Sequence, residues 1–145
     1  MIALIQRVTR AQVHIHGACV GEIAQGVLAL IGVTREDTAA DAERLAERLL
    51  TYRLFADAAG KMNLSVREVR GGVLLVPQFT LAADTRKGTR AGFSTAAEPG
   101  RARELFSHLL EQVQRAYPAV SAGVFGADMQ VSLVNDGPVT FWLST

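Results

Sequence analysis

Short apolar runs and polar–apolar alternation recur along the chain, and both patterns are typical of β-strands. Residues 12–16 alternate between polar and apolar side chains, which is the period of a strand with one buried face. Residues 27–31 are continuously apolar, as in a strand that is buried on both faces. The predicted strands are 1–10, 12–16, 19–23, 27–31, 73–76, 129–134 and 139–143.

Two longer segments repeat apolar residues at the spacing of an α-helix. The first runs from Asp37 to about Phe55, and either Asp37 or Thr38 is suited to cap it. The second runs from about Pro99 to Tyr117, with proline at its first turn. Strands with two interposed helices predict a mixed α/β fold, in which a curved, β-barrel-like sheet packs against both helices.

The size and composition indicate a single globular domain over residues 1–145. A chain of 145 residues buries about two-thirds of its surface on folding, and 49% hydrophobic with 20% charged residues excludes a disordered protein. Its apolar runs are shorter than the roughly 20 residues of a membrane helix, and no secretory signal is visible at the N-terminus. With a single cysteine, we expect a cytoplasmic protein without disulfides and without a membrane partner.

The charge is nearly balanced overall but not locally. The net charge of +1 gives no general basic field, so we expect no DNA partner. Arginine outnumbers lysine 13 to 2, which fits either bidentate phosphate contacts or the base composition of the genome. Residues 84–103 carry an excess of +3 that fits either phosphate binding or an ordinary solvated loop. The charged residues of this segment are Asp84, Arg86, Lys87, Arg90, Glu98, Arg101 and Arg103.

Common catalytic signatures are missing from the chain. It has no glycine-rich phosphate loop, no dinucleotide-binding fingerprint and no Gly-x-Ser-x-Gly elbow. Cys19 lies in a predicted strand without an identifiable base, so we interpret it as an inert thiol. His14 and His16 share one strand face but lack a third ligand. We therefore expect no metal and no cofactor.

Two short segments combine polar groups, an aromatic ring and strand ends. Residues 77–81 read Pro-Gln-Phe-Thr-Leu after an apolar strand, and residues 135–140 read Asn-Asp-Gly-Pro-Val-Thr between two strands. Taken alone, the second segment predicts a plain turn, because few X-Pro bonds are cis.

At these residues the sequence resembles the D-aminoacyl-tRNA deacylases. That family carries a Ser-Gln-Phe-Thr-Leu motif and an Asn-x-Gly-Pro-x-Thr motif, which 77–81 and 135–140 match at the right separation. Residues 1–8, 60–64, 82–85 and 129–142 are also similar to the family, so the resemblance covers essentially the whole chain.

The resemblance implies a homodimer that hydrolyses the ester between a D-amino acid, or mischarged glycine, and the 3′-terminal adenosine of tRNA. It assigns Gly137 and Pro138 a cis peptide that reaches into the partner subunit's site, where parallel carbonyls hold the substrate amino group and leave an L side chain no space. It associates Arg7 with fixing that motif. The floor near the ester is assigned to Gln78, Phe79 and Thr80, and the adenosine pocket to Phe125 and Met129.

Two roles for Thr80 remain open at this point. As a nucleophile its hydroxyl needs a base, and neither motif contains histidine or lysine. We favour main-chain amides that stabilise the oxyanion while a tRNA hydroxyl assists water, with Thr80 as a positioning group. Because Pro77 replaces the family serine and has no N–H, the amide donors must come from Phe79, Thr80 or their neighbours.

Two other classes of function compete with the hydrolase. The arginine-rich segment and Pro77 also fit a catalytically silent module that binds tRNA or another RNA. The apolar faces of the last predicted strand also fit a self-associating structural domain.

Overall fold

The computed structural model describes residues 1–145 and contains eight strands and two helices. Neither helix is both long and apolar enough to cross a lipid bilayer. The helices are α1 (Ala39–Thr51) and α2 (Pro99–Ala116), and a 3₁₀ turn spans Phe79–Ala82. The strands are β1 (Ile2–Ile15), β2 (Ala18–Ile23), β3 (Gly26–Gly32), β4 (Phe55–Ala56), β5 (Met62–Leu64), β6 (Gly72–Pro77), β7 (Val120–Ala122) and β8 (Gln130–Ser144).

Six strands form one curved sheet in the order β2-β1-β3-β6-β7, and β8 pairs along the length of β1. Strands β3, β6 and β7 run parallel, whereas β2, β3 and β8 are antiparallel to β1. The Ser121 hydroxyl of β7 donates to the Glu22 carbonyl of β2 at 3.0 Å, so the two ends of the sheet meet. The sheet is thus a nearly closed barrel, and the predicted mixed α/β fold with two helices is confirmed.

The central parallel strands are buried on both faces, as their apolar runs predict. In β3, Val27, Ala29 and Ile31 join the larger core cluster beneath the two helices, whereas Leu28 joins a smaller cluster on the opposite face. In β6 the same alternation assigns Leu74 to the smaller cluster. Apolar helix faces complete the larger cluster through Ala42, Leu45, Ala46, Leu49, Leu50, Ala102, Leu105, Phe106, Leu109 and Val113.

Both predicted helices are present; α1 is shorter than expected at both ends, whereas α2 ends one residue before Tyr117, the predicted end. Helix α1 begins after Thr38, whose amide and hydroxyl donate to the Asp41 carboxylate at 2.9 and 2.7 Å. These hydrogen bonds lower the pKa of Asp41 to about 2. Asp37 does not cap the helix but accepts a hydrogen bond from the Thr34 amide at 2.6 Å.

Three features of the strands were not predicted. The segments predicted as 1–10 and 12–16 form one strand, β1, which bends at an irregularity after Val13. The short strands β4, β5 and β7 lack any clear apolar period. The turn predicted at 135–138 is wrong: these residues lie within β8, which passes through an irregularity and continues to pair with β1.

Candidate active site

A pocket opens where the parallel strand β6 ends. It encloses about 460 Å³ and is bordered by residues from the end of β6, from the segment after β7 and from the first turns of α2. Four of the predicted site residues line it together, namely Gln78, Phe79, Phe125 and Met129. The structure therefore brings two segments separated by about fifty residues into one concave surface.

The 3₁₀ turn after β6 forms one side of this pocket. The Gln78 amide donates to the Ile31 carbonyl at 2.7 Å, which extends the pairing with β3 one residue beyond Pro77. The first hydrogen bond of the turn runs from the Leu81 amide to the Gln78 carbonyl at 3.2 Å. The amides of Phe79 and Thr80 precede it, so they have no acceptor within the turn.

The side chain of Thr80 is exposed and has one side-chain partner, the Gln78 amide group at 2.5 Å. An amide does not titrate near neutral pH and cannot serve as a general base. Neither histidine nor lysine contacts the hydroxyl. Phe79 is 58% exposed, and its ring centroid lies 5.2 Å from that of Phe93. Thr80 directly follows the pocket residue Phe79 but is not among the residues that line the pocket, and its hydroxyl has no activating base.

Pro77 is the last residue of β6 and also borders the pocket. It faces Ile31 in the parallel register, and the strand tolerates proline because pairing passes to the Gln78 amide. Residue 77 supplies neither a hydroxyl nor an N–H to this surface.

The opposite side of the pocket carries an aromatic ring and a methionine side chain. The Arg103 guanidinium lies 5.1 Å above the centroid of Phe125, a distance typical of a cation–π contact. The Met129 sulfur accepts from the Val124 amide at 3.4 Å and leaves no space for a Cβ at Gly123, which would lie 2.8 Å from it. Glycine at 123 therefore allows the methionine to form part of the lining.

The second predicted segment forms a protrusion from β8. Val8 pairs with Asn135 and Gln6 with Thr140, so four residues, 136–139, stand opposite the single residue Arg7. The Gly137-Pro138 peptide within the protrusion is cis, and both residues are exposed. We name residues 136–139 the protrusion below.

Three side chains hold the base of this protrusion. The Arg7 Nε donates to the Asp136 carbonyl at 3.0 Å and Nη1 donates to the Leu54 carbonyl at 2.8 Å. On the other side, the Asn135 side chain accepts from the Val139 amide and donates to the Thr140 hydroxyl, each at 2.8 Å. The sequence reasoning missed Asn135 and Thr140 as a structural pair, although their spacing in the motif was the available signal.

The pocket and the protrusion share no residue within one chain. The pocket residue Val131 pairs with Val13, whereas the protrusion stands opposite Arg7, six residues earlier on β1. Arg7, Gly137 and Pro138 do not line the pocket of their own chain.

A polar basin adjoins the pocket through the Phe79–Phe93 contact. It encloses about 470 Å³ and is lined by Asp84, Arg86, Lys87, Arg90, Gly92 and Ser94. Arg86 donates to both carboxylate oxygens of Asp84, at 2.9 and 2.7 Å. These contacts hold the pKa of Asp84 well below its usual range and raise that of Arg86.

The residues that we weighed as metal ligands do not form a cluster. No group of three or more His, Cys, Asp or Glu side chains lies in an arrangement that holds a metal ion. Cys19 is a free, exposed thiol. The pocket itself is lined by amide, aromatic and thioether groups together with one carboxylate, Asp128.

Comparison with known proteins assigns the chain to a family. The model of the family described as D-Tyr-tRNA(Tyr) deacylase matches residues 4–144. The D-aminoacyl-tRNA deacylase of Thioalkalivibrio sulfidiphilus is 63% identical over 143 residues, which cover 99% of this chain and 96% of that protein. The D-aminoacyl-tRNA deacylase of Pseudomonas savastanoi pv. phaseolicola is 59% identical over 145 residues, which cover the whole of both chains.

A solved structure is also closely similar. It is titled c-Myc DNA Unwinding Element Binding Protein, superposes with a TM-score of 0.95 at 37% identity, and the match covers 100% of this chain and 99% of that one. The family match and the full-length relatives confirm the resemblance inferred from residues 77–81 and 135–140. The chain therefore belongs to the D-Tyr-tRNA(Tyr) deacylase family.

Proposed function

We propose that this protein is a tRNA-editing hydrolase that cleaves the ester between a D-amino acid, or mischarged glycine, and the 3′-terminal adenosine of tRNA, and that it rejects L-aminoacyl-tRNA. The observation that carries the proposal is that Gln78, Phe79, Phe125 and Met129 line the same pocket. Family membership supports the reaction class. Charged tRNA as substrate implies action in the cytoplasm.

The pocket chemistry fits an ester that is already activated. Water adds to the acyl carbon, the ester C–O bond breaks, and the products are the free amino acid and the 3′ hydroxyl of the tRNA. The amides of Phe79 and Thr80 stabilise the oxyanion, and the neighbouring ribose hydroxyl of the substrate assists the water. The absence of a base at the Thr80 hydroxyl favours a positioning role for this residue over covalent catalysis.

The aromatic side of the pocket fits the terminal adenosine. An aromatic ring provides a stacking surface for a nucleobase, and Phe125 is such a ring in the lining of the pocket. Met129 completes the lining with a side chain that adapts its shape.

The complete site requires two copies of the chain. Gly137 and Pro138 do not line the pocket of their own chain, so in this proposal they reach the pocket of a partner. Strand β8 supports this arrangement, because it pairs on one side only and exposes Val134 and Trp142 by 43% and 54%. A long edge strand with exposed apolar residues is normally covered by a partner.

Selectivity follows from the main chain of the protrusion. The carbonyls of Gly137 and Pro138 hold the substrate ammonium, and glycine permits a close approach of the backbone. An L side chain meets this backbone, whereas a hydrogen or a D side chain points away from it. Because the backbone excludes the L side chain and no side chain recognises the D side chain, the site accepts many different D-amino acids.

The deciding experiment compares hydrolysis of D-tyrosyl-tRNA and L-tyrosyl-tRNA by the purified protein. We expect rapid hydrolysis of the D-substrate alone, unaffected by a metal chelator. Equal hydrolysis of both substrates, or of neither, contradicts the proposal. Salt-sensitive tRNA binding without turnover would instead favour the silent RNA-binding module, and the absence of both would favour a structural domain.

A further inference from the structure

The five basic residues of segment 84–103 differ in whether a carboxylate neutralises them. Arg86 is held by Asp84, and Arg101 lies 3.5 Å from Glu104. The three remaining cations have no carboxylate oxygen within 4.0 Å and are exposed to solvent. These three residues are Lys87, Arg90 and Arg103.

The loop that carries two of these cations is held in place by hydrogen bonds. The backbones of Asp84 and Gly92 exchange two hydrogen bonds of 2.7 and 3.0 Å. The Thr95 hydroxyl donates to the Ala82 carbonyl at 2.5 Å, and the Thr95 carbonyl accepts from the Arg35 amide at 2.9 Å. These hydrogen bonds fix both ends of the loop from which Lys87 and Arg90 project, beside the pocket residue Phe79.

This surface is continuous with the pocket on two sides. Phe93, between the basin residues Gly92 and Ser94, contacts the pocket residue Phe79. Arg103 covers the pocket residue Phe125.

We propose that Lys87, Arg90 and Arg103 bind the backbone phosphates of the single-stranded 3′ end of tRNA and guide its terminal nucleotide into the pocket. This inference rests on the proposed function and adds to it the surface that holds the RNA. The basin is lined by no hydrophobic residue. Its cations without a carboxylate partner, Lys87 and Arg90, can donate hydrogen bonds but cannot accept them. This chemistry fits the phosphate oxygens of a nucleic-acid backbone. Asp128, the acidic residue of the pocket lining, disfavours a phosphate inside the pocket itself.

The kinetic test uses two substrates, D-tyrosyl-tRNA and D-tyrosyl-adenosine, of which the second has no phosphate. The variants are the double variant K87Q/R90Q and the triple variant K87Q/R90Q/R103Q. Each exposed ion pair contributes about 2- to 5-fold in affinity, so we expect the triple variant to raise KM for the tRNA roughly 10-fold or more, with kcat little changed. In the double variant the KM for the adenosine ester should not change, because neither Lys87 nor Arg90 lines the pocket.

The matched control is R115Q, which removes an arginine from the last turn of the same helix. Arg115 lies 3.8 Å from Glu111 and twelve residues beyond Arg103, about 18 Å along the helix axis. We expect R115Q to behave as the wild type with both substrates.

A binding measurement separates this inference from the proposed function. Fluorescence anisotropy with labelled, uncharged tRNA gives the slope of log K against log salt concentration, and loss of three phosphate contacts reduces that slope by about 2. An unchanged slope and an unchanged tRNA KM overturn the inference, as does an equal rise in KM for both substrates. If the wild-type protein hydrolyses neither substrate, the proposed function fails and the salt slope alone decides the inference.

Discussion

Replacing Arg7 by methionine tests how the protrusion of β8 is held. The Arg7 side chain is 15% exposed and makes two hydrogen bonds, at 3.0 Å to the Asp136 carbonyl and at 2.8 Å to the Leu54 carbonyl. Methionine fills much of the same volume but donates no hydrogen bond. The two carbonyls lose their common donor, and the protrusion loses its attachment to the chain after α1.

The expected loss of stability follows from these contacts. Hydrogen bonds that involve a charged group contribute about 1.5–3 kcal/mol each. Because water reaches the exposed fraction of the site and replaces part of each bond, we expect a total near 3 kcal/mol. For a chain of this size that corresponds to a fall in Tm of about 9 °C.

The functional loss is expected to exceed the loss of folded protein. A displacement of about 1 Å in a positioning group lowers a rate by up to roughly 10²-fold, and the protrusion carries the residues that we propose hold the substrate ammonium. The R7M variant should therefore lose most of its kcat/KM for D-tyrosyl-tRNA at a temperature where it remains folded.

Two measurements check this reasoning, namely urea unfolding followed by circular dichroism and deacylation of matched D- and L-tyrosyl-tRNA. Arg10, on the same strand and exposed, provides the control, and R10M should change the free energy of unfolding by less than about 0.5 kcal/mol. An R7M variant with wild-type stability and wild-type D/L selectivity would refute the assignment of Arg7 as the anchor.

Three further predictions concern the turn, the core and a helix cap. T80V should retain turnover within about 10-fold of wild type, since we assign the hydroxyl a positioning role; an acyl-enzyme trapped on Thr80 and seen by mass spectrometry would contradict this. G26A should not fold, because a Cβ at this position would lie 1.9 Å from the Gly72 carbonyl oxygen. G100A, whose Cβ would have no neighbour within 4 Å, should melt at or slightly above the wild-type temperature. Equal melting temperatures for the two variants would contradict this prediction. T38A should lose about 1 kcal/mol at pH 7. Because the pKa of Asp41 is lowered to about 2 from 3.8, the stability difference between wild type and T38A should persist above pH 4 and fall towards zero near pH 2. If urea titrations give a difference that does not depend on pH, the hydrogen bonds from Thr38 to the Asp41 carboxylate do not stabilise the helix.

Local sequence patterns predicted the helices and the central strands because burial alone specifies them. The apolar run of β3 and the apolar stripe of α1 both reflect contact with the same core, and each pattern is contained in a few consecutive residues. The short strand β7 has no such pattern, since it forms by pairing with Val73–Leu75 about fifty residues away.

The prediction at 135–138 failed for a related reason. Asn-Asp-Gly-Pro is a common turn sequence, but here β1 pairs with residues on both sides of it, and contacts from Arg7 hold it as a protrusion. The pairing joins β1 to residues more than 120 positions later in the sequence, and it outweighs the local preference for a turn. No pattern within residues 135–138 indicates this pairing.

The candidate site residues came from the family motifs and not from the residues alone. Gln78 and Phe79 join Phe125 and Met129 only because parallel strands β6 and β7 end at the same edge. In the sequence, Arg103 is only one of the five basic residues of segment 84–103. Its contact with Phe125 and its lack of a carboxylate partner became apparent from the structure.

That the protrusion does not line the pocket of its own chain has a genetic consequence. If each functional unit takes its pocket from one molecule and its protrusion from another, a chain defective in Phe125 and a chain defective in Gly137 are each inactive alone. Mixed in one cell, they assemble pairs in which one unit contains both intact parts. Two recessive alleles of this gene would then complement each other, with about half of the units in each mixed pair restored.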